Sequence, residues 1–222
     1  MSATLRLVCV ASLVVAACTS SPEPPTPSPP PSPATLDGSG SPLRTPDASR
    51  TTADPCAADE DGWEPGSCGR LGNIAIGGER RFEGSAIPIW RVTVWELAGD
   101  GWTAALEATG PPDTWADVGV VEVSIGRGAL VVGYRYGGTG SVLDYDIVVG
   151  GPAVAVHRGG LEQASLVIGD DVIEEYAADF SGGEPACCPE RFVRTTIRFS
   201  DGAFVATDAG TVTPDERPGS DL

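Results

Sequence analysis

No lysine occurs in the chain, and histidine occurs once, as His157. The missing lysine excludes lysine Schiff-base chemistry, a Ser–Lys nucleophile and a phosphate-loop lysine. A single histidine without Cys-x-x-Cys spacing argues against zinc and against a thioredoxin-like redox motif. A Ser–His–Asp triad would have to use His157. That residue ends the run Ala153–His157 with Arg-Gly-Gly following, and no nucleophile elbow lies beside it, so it reads as structural. Positive charge is scarce as well: 14 arginines face 31 acids, for a net charge of −17. This balance argues against nucleic acid and against direct docking on anionic headgroups. No long stretch repeats at the helical period, and no apolar run reaches the roughly 20 residues of a membrane-spanning helix. No cofactor and no metal is expected.

What is present begins with the N-terminus. Arg6 precedes an apolar run from Leu7 to Ala17, the layout of a secretory signal peptide over residues 1–17. The run ends Val15-Ala16-Ala17-Cys18, which resembles the lipobox of bacterial lipoproteins. That resemblance implies that Cys18 is acylated as the first mature residue and that the membrane is a partner through a lipid anchor. Losing the signal removes Arg6 and takes the net charge from −17 to −18. From Thr19 to Pro55 there are 11 prolines and few large apolar residues. Such a segment is too poor in apolar groups to build a core, so residues 18–55 are expected to form a disordered tether. Fully extended, a tether of this kind reaches roughly 100 Å at ~3.1 Å per residue.

Residues 56–212 are long enough for one domain with a core. β-branched runs alternate with Gly/Asp turns: 87–97 with 102–108, 118–125 with 129–136, 142–149 with 153–157, 164–168 with 172–178, and 191–199 with 203–207. This is the pattern of an antiparallel meander of hairpins, a sandwich or an incomplete propeller or barrel. The last turn fixes a register. Asp201-Gly202 as a two-residue loop sets Ser200 opposite Ala203 and Phe199 opposite Phe204. Residues 171–180 also carry a short helical pattern through Val172, Ile173, Tyr176 and Phe180. The tail 213–222 is polar and acidic and is expected to be disordered.

Four cysteines remain in this domain: Cys56, Cys68, Cys187 and Cys188. Outside the cytoplasm they are expected as disulfides, with three possible connectivities. Two long-range bridges are favoured, because adjacent Cα atoms lie about 3.8 Å apart whereas disulfides prefer about 4.4–6.8 Å. The alternative pairs Cys56 with Cys68 and Cys187 with Cys188.

Candidate binding residues are Tyr134, Arg135 and Tyr136 with the glycine-rich loop 137–141, and Asp144 and Asp146. The two aspartates alternate on one face of strand 142–149. They read as its solvent side, with acid/base or calcium chemistry as the functional alternative. Trp90 and Trp95 have opposite parity, so one is expected in the core and the other exposed. Arg194 and Arg198 are expected to pair with neighbouring acids.

The lipobox, the Pro/Ser stalk and a late Cys-Cys-Pro-x-x-Phe stretch leading into the Asp-Gly hairpin (187–204) resemble small actinobacterial lipoproteins of the LppP/LprE type, whose function is uncharacterised. The resemblance implies an all-β domain held outside the membrane, lipid-anchored in the cell envelope. The function expected of it is presentation of a binding face to an envelope protein or a small ligand, without catalysis. The alternative is an envelope hydrolase built on a carboxylate pair such as Asp144 and Asp146.

Overall fold

The computed structural model describes residues 32–57, 62–110, 114–126, 128–137, 141–183, 185 and 187–222. The signal segment and Cys18 lie outside these residues, as do 58–61 and 138–140. The fold is all-β, built of antiparallel sheets, with a disulfide between Cys56 and Cys68.

Two short strands, β1 (Ala34–Thr35) and β2 (Thr51–Thr52), precede three meanders. The first is β3 (Glu64–Leu71), β4 (Ile74–Arg81), β5 (Ile89–Ala98) and β6 (Gly101–Thr109). The second is β7 (Trp115–Val123), β8 (Ala129–Tyr136), β9 (Val142–Val149) and β10 (Ala153–Glu162). The third is β11 (Ser165–Ile168), β12 (Ile173–Ala178), β13 (Phe192–Ser200) and β14 (Ala203–Val212). β2 extends the first sheet beyond β6, and β1 extends the third beyond β14.

The sheets stack with the second in the middle. Leu143, Tyr145 and Ile147 of β9 join Leu166, Ile173, Ile197 and Phe204 in a core between the second and third sheets. Leu130, Val132 and Tyr134 of β8 join Ile76, Val92, Val94 and Trp90 in a core between the first and second. Each fully buried aliphatic side chain contributes about 1.5–3 kcal/mol, so two cores of this kind supply most of the driving force. A smaller apolar cluster, Ala75, Trp95, Trp102 and Ala104, lies on the outer face of the first sheet. Trp90 and Trp95 do face opposite ways, but both are buried, and so is Trp102. The expected exposed tryptophan is therefore absent at these positions, because the first sheet is covered on both faces.

The hairpin at Asp201-Gly202 has the register its sequence specifies: Ser200 pairs with Ala203 and Phe199 with Phe204. Both turn residues have positive φ, 52° and 84°, the primed turn whose twist matches the strands. The two phenylalanine rings meet edge to face at 5.2 Å.

Two expectations are corrected at the ends of the domain. Residues 32–55 are no free tether. β1 pairs with β14, the Asp37 carbonyl accepts from the backbone of His157 at the edge of β10, Arg44 bridges to Glu107 of β6, and β2 completes the path. This strap therefore crosses all three sheets, using backbone hydrogen bonds where apolar side chains are few. Its two leucines do contribute: Leu43 is buried and Leu36 packs on the core between the second and third sheets. Cys56–Cys68 then ties the strap's end to β3 over a sequence separation of 12. A loop that short is worth up to about 3 kcal/mol in the chain-entropy model, less than the long-range bridges would give. The tail is likewise docked. Asp221 and Leu222 exchange backbone hydrogen bonds with Leu166, and the Asp221 carboxylate accepts from the Ile168 backbone at 2.7 Å. Leu222 sits over the glycine pair Gly119 and Gly133, where any side chain on Gly119 would collide with it.

Within the domain, Ile173–Ala178 is a strand between β11 and β13, not a helix. Its alternate residues Ile173 and Glu175 turn inward onto the second sheet, while Tyr176, also buried, turns the other way and donates to Glu174.

Candidate functional site: an apolar cleft beneath the strap

A cleft of about 630 Å3 opens where the turns of the second sheet meet the β13–β14 hairpin. One wall is the strap, at Leu36, Asp37 and Gly38. The opposite wall is Phe199, Ala203 and Phe204, and the floor comes from Ile125, Gly128, Val149, Val154 and Ala155. Phe199 remains 40% exposed here, with its ring lying against Gly126, where a side chain would meet it at 2.8 Å. Among the described residues the lining is mostly apolar, with Asp37 as its one carboxylate. The Asp37 carboxyl is held below the usual range by its hydrogen bonds from Ser39, so it carries charge at the rim.

The strap's position depends on a polar cluster next to this cleft. Asp146 is fully buried and accepts three hydrogen bonds: from Ser41 Oγ at 2.9 Å, from the Tyr134 hydroxyl at 2.9 Å, and from His157 Nδ1 at 2.8 Å. Donation to the carboxylate assigns the imidazole proton to Nδ1. Burial first, then the adjacent Asp146 charge, pushes the Tyr134 phenol well above its ordinary value, so it stays a donor. The strap enters through Ser41, whose Oγ also accepts from the Leu43 backbone at 3.1 Å. At Gly38 the strap passes so close to the Val154 carbonyl that a Cβ would lie 2.3 Å from its oxygen. Only glycine permits that approach.

The sequence-derived candidates divide accordingly. Tyr134, Tyr136, Asp144 and Asp146 do come together, on the face of the second sheet toward the first. Asp146 is not on a solvent side, and Tyr134 is no surface residue: both are 0% exposed. The reason is that the second sheet is covered on both faces, so its polar alternation marks an interior cluster. Asp144 accepts from the Tyr136 hydroxyl at 2.7 Å and from the Gly160 backbone at 2.6 Å. Arg135 points to the opposite face, beside Asp117, Asp221 and Leu222 in a slot of about 310 Å3. It donates to the Ala164 carbonyl at 3.4 Å.

Sequence reasoning missed Ser41 and the use of His157. Ser41 lies in a Pro/Ser/Thr stretch with no pattern to single it out. His157 reaches Asp146 because β10 bulges between Val154 and Val156, which turns both Val154 and His157 toward the first sheet.

The cysteines also differ from the favoured pairing. Cys56 bonds to Cys68, and Cys187 and Cys188 are exposed free thiols, so no bridge joins the two ends of the domain. Arg194 pairs with Glu174, as acid-rich surroundings suggest. Among the described residues no group of three or more His, Cys, Asp or Glu is placed to hold a metal ion, and no helix is long and apolar enough to cross a membrane.

No protein-family model, no curated protein and no solved structure matches this chain.

Proposed function

We propose that the chain is a lipid-anchored protein of the cell envelope whose β-domain binds a small, largely apolar ligand in the cleft beside Phe199, without catalysis. The observation that carries this reading is the cleft itself. Its volume, about 630 Å3, falls in the range of small-molecule sites, and among the described residues its lining is mostly apolar, with the Asp37 carboxylate at the rim. The anchor rests on the lipobox-like Val15–Cys18 and on the proline-rich residues that follow it. Membership of the LppP/LprE type rests on the same residues together with 187–204.

The hydrolase alternative has less support. Asp146 is enclosed with three donors bound, and Asp144 already holds Tyr136 and Gly160. To act as acid or base, either would have to surrender partners that position the strap or the irregular stretch of β10 between Arg158 and Leu161.

A neutral naphthylamine probe tests the binding reading. The full chain should bind it saturably, with one probe per chain and increased fluorescence. Phe199→Ala should weaken binding by ~10-fold, the equivalent of one lost aromatic contact. Ala203→Trp, which fills the cleft, should abolish it. Native mass spectrometry of the chain from its own envelope should retain a small mass that denaturation removes. Probe binding that is absent, or indifferent to both substitutions, would overturn the reading. The anchor is tested separately: Cys18→Ser should move the chain from the membrane fraction to the soluble fraction.

A further inference from the structure

The Cys56–Cys68 bond leaves Cys187 and Cys188 with only each other as cysteine partners in the domain. They sit on the segment joining β12 to β13, at the end of β13 opposite Phe199 and the cleft. The base of that segment is fixed. The Asp179 backbone donates to the Arg191 carbonyl at 3.0 Å, and the two side chains form an ion pair at 3.5 Å. The Cys188 backbone donates to the Pro185 carbonyl at 3.0 Å. Pro189 then restricts Cys188 to extended backbone and offers no N–H of its own. Both thiols are exposed, and their sulfurs lie 2.7 Å apart, with Cys188 donating to Cys187.

We infer that Cys187 and Cys188 form a reversible redox site, a vicinal dithiol that exchanges with low-molecular-weight disulfides to become a vicinal disulfide. Three observations carry this. The sulfurs are already adjacent, so closure needs no search by the chain. Both are open to a soluble reagent. The bond joins neighbours in sequence, whose Cα spacing of about 3.8 Å is below the disulfide optimum, so the oxidised form is readily reduced again. The intact Cys56–Cys68 bond fits a compartment in which such disulfides occur. A metal reading is disfavoured because no third ligand stands near the pair among the described residues.

The exchange balances as follows. The Cys187 thiolate attacks one sulfur of a disulfide RSSR and releases RS−, giving a mixed disulfide. Cys188 then attacks the Cys187 sulfur and expels the second RS−. The two thiol protons go to the two leaving thiolates. The net change is one protein dithiol oxidised by two electrons and one RSSR reduced to two RSH. Cys188 donates its S–H to the Cys187 sulfur, which leaves Cys187 as the first attacker in this order.

The inference is independent of the cleft and is tested on the full chain equilibrated in graded mixtures of reduced and oxidised glutathione. Free thiols are then alkylated, and the peptide containing both cysteines is weighed. It should pass from doubly alkylated to unlabelled and two hydrogens lighter, without an accumulating glutathione adduct. Cys188→Ser should instead stop at a stable Cys187–glutathione mixed disulfide, with the fold unchanged by circular dichroism because the site is exposed. Full alkylation across the whole range, stable adducts on the unsubstituted pair, or a bridge from either cysteine to Cys56 or Cys68 would each overturn it.

Discussion

The second sheet carries a buried tyrosine–carboxylate–base cluster on each of its faces, and the two are built for different tasks. Toward the third sheet, Glu175 of β12 takes Arg158 of β10 in a two-pronged pair at 2.7 and 3.0 Å, and accepts from the Tyr145 hydroxyl at 2.9 Å. Toward the first sheet, Asp146 takes His157, Tyr134 and Ser41. Tyr145 and Asp146 are consecutive residues of β9, so one strand supplies both clusters by alternation. The guanidinium is permanently charged, and its pairing with Glu175 strengthens that further. The imidazole donates through Nδ1 whether or not it bears charge. The first cluster joins two sheets; the second joins a sheet to a strap that walls the cleft. A structural lock and a positional clamp thus share one strand.

Breaking the lock should have the larger effect. Glu175→Ala leaves Arg158 and the Tyr145 hydroxyl without their partner inside the sheet interface. Removing one member of a buried pair costs about 3–5 kcal/mol. The lower end applies here, because the Arg158 side chain keeps 30% exposure and can reach water. Urea denaturation should report the loss as a lower midpoint for the whole domain. The double variant Glu175→Leu with Arg158→Leu should recover most of it, since an apolar replacement of both ends leaves no orphaned charge. A single variant as stable as the parent would remove the distinction between lock and clamp.

Breaking the clamp should cost less and act locally. Asp146→Asn keeps one acceptor oxygen but turns an NH2 toward groups that also donate. The expected loss is about 1–3 kcal/mol, and much of it should appear as release of the strap. Limited proteolysis should then cut between residues 36 and 44 well below the global midpoint, and probe binding in the cleft should weaken. Equal protection of the strap in the parent and in Asp146→Asn would show that backbone pairing alone holds it.

The difference between the faces also explains what the sequence could convey. Hairpins were legible wherever Gly or Asp turns separated β-branched runs, down to the pairing of Phe199 with Phe204. The strands β3 and β4 were not. Gly66, Gly69 and Gly77 interrupt their pattern because Trp90 of the same sheet, Leu130 of the second sheet and the Pro55 carbonyl of the strap press against them, approaches decided by tertiary packing. Alternation alone places Asp146 toward solvent, because it normally means one dry face and one wet face. In a sheet covered on both sides the same alternation separates two interiors, and local sequence does not record which side is covered. The strap resembles a tether in sequence for a related reason. Its backbone hydrogen bonds carry no compositional mark, and Leu36 and Leu43 are too few to form a period.

The smallest expected effect lies one residue from the lock. Glu174 and Glu175 are neighbours on β12 and face opposite ways: Glu175 inward, Glu174 onto the outer surface with Arg194 and Tyr176. Hydrogen bonds from Tyr176 and then from Arg194 hold the Glu174 carboxyl below its ordinary value. A carboxyl lowered by folding stabilises the native state above its unfolded value, and that contribution is lost as pH falls through the lowered value. Stability should therefore decline on acidification below about pH 4.5, and Glu174→Gln should flatten that part of the curve. The pair is partly exposed, so water and salt screen it to less than about 1 kcal/mol. Urea midpoints measured from neutral to acid pH, at low and high salt, check this. If Glu174→Gln were as damaging at neutral pH as Glu175→Ala, burial would not be what distinguishes these two glutamates.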